Sequence, residues 1–213
     1  MSNLIGVMGE SGAGKTTAMR NLDPATTYYI DADKKGLSWQ GWRKQYNKEN
    51  KNYLVCDDPK IVVGYVGQIS DRCPQVKTIV IDTLNGLMVA EEMRRSKEKG
   101  FDKWTDLASY IWALLDVCLT LRDDLNIVIL AHSQTDRDEN GNVWTRIKTS
   151  GRKLDKLVPE SKFTTVLLAK TNENGEHIFE TQSNFSTAKS PMGMLEKEIP
   201  NDITLVLDAL KEY

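Results

Sequence analysis

The sequence is poor in the features that mark several common classes of protein. Its 213 residues hold three cysteines, Cys56, Cys73 and Cys118, set far apart. That number and spacing exclude a disulfide framework and a metal-ligand cluster. Cys73 and Cys118 fall on apolar helical stripes and read as buried free thiols. Charge of one sign is lacking as well: Lys and Arg total 28 against 30 for Asp and Glu, a net charge of −2. No global basic field therefore announces a nucleic-acid partner, and any such partner has to be held by a local patch. No apolar run is long enough to span a membrane. The chain opens directly on an apolar strand without room for a signal peptide, so a cytoplasmic protein with no membrane partner is expected. Linkers, internal repeats and low-complexity segments are absent too, which predicts a single domain over residues 1–213. A hydrophobic fraction of 40% suffices for its core.

What is present begins with Gly9-Glu10-Ser11-Gly12-Ala13-Gly14-Lys15-Thr16, followed by Thr17. The stretch satisfies the pattern G-x-x-x-x-G-K-[ST] at every fixed position. It follows the apolar run Leu4–Met8, which reads as a buried strand, and precedes Thr17–Leu22, which can open a helix. In that context glycines let backbone N–H groups turn inward around phosphate oxygens, and the helix N-terminus adds positive potential. Lys15 would reach the β- and γ-phosphates of ATP, and the Thr16 hydroxyl would ligate Mg²⁺.

Further along, Thr27–Asp31 reads as a second strand ending in the acidic turn Asp31-Ala32-Asp33. Trp39, Trp42 and Tyr46 are spaced as one face of a helix and are expected to cover the sheet rather than stack on bases. Tyr53–Cys56 is a short strand, and Asp58-Pro59 makes a helix start. Val62, Val66, Ile69 and Cys73 form its core-facing stripe. Thr78–Asp82 is an apolar strand ending in a carboxylate. Helices over 84–97 and about 105–122 follow, the second carrying Leu107, Ile111, Leu114, Cys118 and Leu121. The strand 126–131 is expected to end at His132-Ser133-Gln134. A turn signal at Asn140-Gly141 follows, and Thr149 or Ser150 is placed to cap a short helix through Leu157. Residues 163–170 and 176–181 read as an antiparallel pair, residues 183–200 as irregular, and the segment from Ile203 as a last helix. Strands alternate with helices over the first 131 residues. The predicted fold class is therefore α/β, a mostly parallel sheet flanked by helices, with the antiparallel pair at the C-terminal edge.

A phosphate cradle alone is not an NTPase. A metal-side carboxylate, a group to polarise the attacking water and a sensor of the γ-phosphate are also needed. Asp82 ends an apolar strand on the edge to which the first strand delivers the loop, where a metal-side carboxylate belongs. Asp31 and Asp33 sit on the same edge, and either can polarise water. His132 and Gln134 close a strand there and are placed to read the γ-phosphate.

Three of these blocks together resemble the RecA-type P-loop ATPase core: Gly9–Thr16, Tyr28-Tyr29-Ile30-Asp31-Ala32-Asp33, and Thr78-Ile79-Val80-Ile81-Asp82-Thr83. The strand ending in His132-Ser133-Gln134 is a looser fourth match. The shortness of the chain is most similar to the RecA-like recombination ATPases of bacteriophages, which are associated with single-strand annealing. The resemblance implies that Asp33 carries the catalytic carboxylate, as Asp where the family has Glu. It implies that His132 or Gln134 takes the place of the sensor. It further implies a Mg²⁺-dependent ATPase acting on single-stranded DNA, assembled into a homo-oligomeric ring or filament, with phage or host replication and recombination proteins as possible partners.

In that family a DNA-binding loop follows the sensor strand. Residues 135–150 match its place, and Arg146, Lys148, Arg152 and Lys153 concentrate positive charge there beside Trp144, a stacking platform. The plain alternative is a solvated basic face with one exposed aromatic. The charged run 91–103 mixes both signs and reads as solvated. Lys189 is the resemblance's candidate for a basic residue inserted into a neighbour's nucleotide site. Two rival readings remain in view. One is a nucleotide-gated interaction or loading ATPase that does not touch DNA. The other, a small-molecule kinase, lacks its usual arginine-rich lid: residues 37–75 hold only Arg43 and Arg72.

Overall fold

The computed structural model describes residues 1–100, 102–137, 141–150 and 158–213. Short runs of β-branched and aliphatic residues pair into one sheet. Its strands are β1 (Asn3–Gly9), β2 (Thr27–Asp31), β3 (Tyr53–Val55), β4 (Thr78–Asp82), β5 (Asn126–Arg137), β6 (Val143–Ile147), β7 (Thr165–Thr171), β8 (His177–Glu180) and β9 (Glu198–Pro200). The order across the sheet is β3-β2-β4-β5-β1-β7-β8-β9, with β6 paired to β5. From β3 to β7 every pairing is parallel, and β8 and β9 are added antiparallel at one edge. The expected fold class is the observed one: a mostly parallel α/β sheet with antiparallel strands at its C-terminal edge, consistent with a P-loop NTPase.

Burial follows from the two-residue period of each strand. Leu4 and Met8 of β1 face a core shared with α2 (Pro59–Arg72), α3 (Leu84–Arg94) and α4 (Asp102–Thr120). Ile5 and Val7 face the opposite core. There the phosphate loop's Ala18 and Met19, the aromatics around α1 (Trp42–Gln45), and Ile203, Val206 and Leu207 of α5 (Ile203–Glu212) cover the sheet. Buried on both faces, the central strands can be apolar throughout, as parallel sheets require. The Asp58 carboxylate accepts from the Lys60 and Ile61 N–H groups, with Pro59 at the first helical position, so α2 starts where its cap predicts. At its other end the Arg122 guanidinium donates to the carbonyls of Ile69, Ser70, Cys73 and Val76, tying α2 to α4. The charged run read as solvated, 91–103, begins inside α3 and is ion-paired: Arg94 pairs with Glu91, which is buried, and with Asp57, and Arg95 pairs with Glu98 and Asp106.

Four local expectations need correction. The segment after the phosphate loop is only a 3-10 turn, Thr17–Met19. Asp23-Pro24 follows at once, and a residue before proline is steered away from helical angles. The helix expected around Trp39, Trp42 and Tyr46 is a single turn, because Gly41 enters it at φ 83° and an asparagine-rich stretch leaves it. The aromatics still cover the sheet, with Tyr46 buried and edge-on to Tyr29. The strand at 126 does not end at residue 131. It runs on to Arg137, because β6 folds back and supplies partners for Ser133–Arg137. The 183–200 stretch contains β9, whose backbone completes the edge beside β8. Of the cysteines, Cys118 is buried, while Cys73 and Cys56 are half-buried. The helix expected through Leu157 lies outside the described residues from 151 on.

Candidate nucleotide site

Register brings the chemistry to one edge. Gly9 pairs with His132, Asp82 with Leu130, and Asp31 with Asp82. In a parallel sheet these carboxyl ends converge, which is where ligands bind. The loop 10–16 leaves β1 at that edge. Gly12 and Gly14 stand at φ 84° and 90°, in the left-handed region that only glycine enters without cost.

Lys15 is buried, and its ammonium donates to the carbonyls of Gly9 (2.8 Å) and Glu10 (2.7 Å). Burial lowers its pKa to about 8 against the opposing pull of Asp82. A multiply charged phosphate beside it would raise that pKa again. The Thr16 hydroxyl donates to Asp82 Oδ2 at 2.8 Å, and the Tyr29 hydroxyl donates to the same oxygen at 2.8 Å. Asp82 Oδ1 is buried with no hydrogen-bond partner. Burial raises the Asp82 pKa even though the Lys35 charge and the two hydroxyls oppose it. The Thr16 hydroxyl and the Asp82 carboxylate, one of whose oxygens is orphaned, are the hard oxygen donors that suit Mg²⁺. Among the described residues no three of His, Cys, Asp and Glu gather as a cage. This donor set is therefore the sparse kind, one that leaves room for phosphate oxygens and water. Thr16 and Asp82, 66 residues apart, meet as their motifs predict.

The two acidic residues after β2 separate cleanly. Asp31 is buried, and its Oδ2 accepts from the Gly36 N–H (2.8 Å) and the Tyr53 hydroxyl (2.7 Å), so it braces the turn. Asp33 is more open. Its Oδ1 accepts from the Thr83 hydroxyl at 2.9 Å, and its Oδ2 from the Lys35 ammonium at 2.6 Å. A Cβ on Gly86 would lie 2.5 Å from Asp33 Oδ1, so only glycine lets α3 start this close. Burial works against the Lys35 ammonium, yet the hydrogen bond to Asp33 and the charges of Asp82 and Asp33 raise its pKa overall.

A protein-family model described as an AAA domain matches residues 2–192. The chain belongs to that AAA domain family. It is thus a nucleotide-binding ATPase of the P-loop class. No curated protein matches it.

In this AAA domain His132 and Gln134 lie on β5. The His132 imidazole is held below its ordinary pKa by burial first and by the Lys15 ammonium next, with Asp33 and Lys35 also acting on it. His132 therefore shares the field of the phosphate loop. Gln134 is turned toward the hairpin instead. Its amide Nε2 donates to both Asp136 oxygens at 3.2 Å, and its Oε1 accepts from the Thr149 N–H. The region read as a DNA loop is in part a β5–β6 hairpin. Trp144 and Lys148 are exposed on it, while Arg146 forms an ion pair with Asp136. Arg152 and Lys153 lie outside the described residues. Lys189 is half-buried beside Val166, exchanging two backbone hydrogen bonds of 2.8 Å with it. Val166 pairs with Gly6, so Lys189 stands below the nucleotide edge of its own chain.

Four residues of the AAA domain were given no role in the site by the sequence: Tyr29 and Thr83, which lie within the matched blocks, and Lys35 and Asn85, which do not. Lys35 had a faint signal, a cation two residues past Asp33. Asn85 had none. Its Oδ1 accepts from the His132 N–H at 2.7 Å, and its Nδ2 donates to the Lys148 carbonyl at 2.9 Å. It thereby joins the start of α3 to β5 and to the chain leaving β6.

Proposed function

We propose that this ATPase is Mg²⁺-dependent and acts on single-stranded DNA, in phage-type recombination or single-strand annealing, as a cytoplasmic homo-oligomer. Lys15 and the loop Gly9–Thr17 hold the phosphates of ATP. Thr16 and Asp82 hold the cation, which neutralises charge on the phosphate oxygens when bound. Asp33 orients and deprotonates the attacking water, once Lys35 yields one of its oxygens. His132 reads the γ-phosphate, and Gln134 passes its state to the hairpin. Lys189 serves a neighbouring subunit. One observation carries the coupling: β5 runs unbroken from Gly9's partner, His132, through Gln134 and Asp136 into the hairpin that displays Trp144. A change at the phosphates is thus one rigid strand away from the surface assigned to DNA.

A second reading is favoured by a specific contact. The Arg146 guanidinium is engaged by Asp136 on the same hairpin, which subtracts from its pull on DNA phosphates. In that reading the hairpin docks a protein, and the ATPase gates a loading step.

ATP turnover measured with and without a single-stranded oligonucleotide separates the two. Turnover raised by the oligonucleotide, with tighter oligonucleotide binding in an ATP-analogue state than with ADP, is expected. Turnover indifferent to DNA, with no anisotropy change in either nucleotide state, would leave the loading reading.

A further inference from the structure

Phe185 is a large aromatic residue placed where a chain seldom puts one. It is 67% exposed, and its φ of 55° lies in the left-handed region, an outlier for a bulky side chain. Its position is not that of a loose tip. The Phe185 carbonyl accepts from the Thr145 N–H at 2.9 Å, and the Thr187 N–H donates to the Thr145 carbonyl at 2.8 Å. Thr145 and Ser186 form a parallel bridge. The chain around Phe185 is therefore laid alongside β6, and Phe185 sits next to Trp144, itself 45% exposed. Ser186 anchors the arrangement from below, buried, with its hydroxyl donating to Glu180 at 2.8 Å. Two exposed aromatic residues from distant parts of the sequence thus occupy neighbouring register positions, one on β6 and one on the chain laid against it. The backbone is strained at one of them, which is the kind of site where strain is retained for a ligand.

We propose that Trp144 and Phe185 form a two-residue platform on which successive bases of a single nucleic-acid strand stack. The inference rests on the hairpin's assignment to DNA and adds a residue from outside the hairpin to that surface. The exposed cation Lys148 lies just past β6, four residues on from Trp144, where it meets the strand's phosphates. Base stacking on aromatic rings tolerates any sequence, so the platform reads single-strandedness rather than sequence.

Oligothymidylate binding by fluorescence anisotropy, set against an abasic oligonucleotide of equal length and charge, tests it. The parent protein is expected to prefer the base-bearing strand, and Phe185→Ala to weaken oligothymidylate binding by about 5- to 150-fold while leaving abasic binding unchanged. Phe185→Tyr should bind as the parent does. Phe185→Gly, which suits φ 55°, should raise the thermal midpoint and lower the affinity, opposite signs that a merely structural role would not produce. Phe185→Ala binding as tightly as the parent, with Trp144→Ala weakened, overturns the platform and leaves the DNA assignment standing. A parent protein that binds no oligonucleotide in any nucleotide state overturns both.

Discussion

The Lys35 ammonium lies 2.6 Å from Asp33 Oδ2, while the Thr83 hydroxyl donates to Asp33 Oδ1 from 2.9 Å. Both oxygens of the proposed water-orienting carboxylate are therefore engaged. Asp33→Asn keeps the shape and removes the proton acceptor. It should leave nucleotide affinity within a few-fold of the parent and slow turnover by roughly 10²–10⁴-fold, the usual worth of general-base catalysis. Single-turnover hydrolysis measures the second and nucleotide titration the first. Parental turnover in Asp33→Asn would move the base elsewhere.

Lys15 sets the alkaline limit. Its amine has a pKa of about 8 in the folded protein, depressed by burial from 10.5. The ammonium is the form that meets phosphate, so ATP affinity should fall as pH rises through 8, by up to about tenfold per unit. Lys15→Ala should abolish turnover and erase this dependence. The sign for stability is the reverse. Between about 8 and 10.5 the unfolded chain holds the proton that the folded one has lost, so this group adds stability to the nucleotide-free protein as pH rises. Denaturation midpoints across that window check it.

Lys35 sets the acid limit. After burial, which raises the Asp82 pKa, the Lys35 charge is the largest influence holding it down. Lys35→Met should raise the Asp82 pKa further. Asp82 must be ionised to hold a cation, so the acid limb of the turnover profile should move to higher pH. An unmoved limb would mean that Lys35 does not act on Asp82.

Tyr29 and Asp82 trade stability against activity. Tyr29→Phe removes a 2.8 Å hydrogen bond to a buried carboxylate, and should cost on the order of 1.5–3 kcal/mol in urea unfolding. Asp82→Asn removes a buried charge whose Oδ1 has no partner. It should abolish turnover yet leave the thermal midpoint at or above the parental value. A large drop in that midpoint would give Asp82 a structural role.

Lys189 cannot easily serve its own nucleotide. It lies level with Gly6, three residues before the end of β1, or about 10 Å below the nucleotide edge at the rise of a strand. If it acts on a neighbour, activity per subunit should rise with protein concentration. Mixing Lys189→Ala with Lys15→Ala subunits should then restore part of the turnover lost in each. A fully active monomer would remove this role.

The sequence by itself determined the parallel core and the pairing of Thr16 with Asp82. Those features depend on local information: a strand period, a glycine loop whose φ values only glycine supplies, and a carboxylate at the end of an apolar run. It also located α2, because Asp58 and Pro59 carry their own capping chemistry. It misjudged the end of β5 at residue 131, because a strand's length depends on the partner that folds back on it. Spacing left Asp31 and Asp33 undivided and only the resemblance chose Asp33; packing adds the physical reason, with Asp31 sealed under Tyr53 and Gly36 while Asp33 stays open. Tertiary structure alone also decided that Asn85 bridges His132 and Lys148, that Gln134 faces the hairpin rather than the phosphates, and that Phe185 lies beside Trp144. Each of these joins residues from separate elements, and no local pattern encodes a contact that exists only once the sheet has assembled.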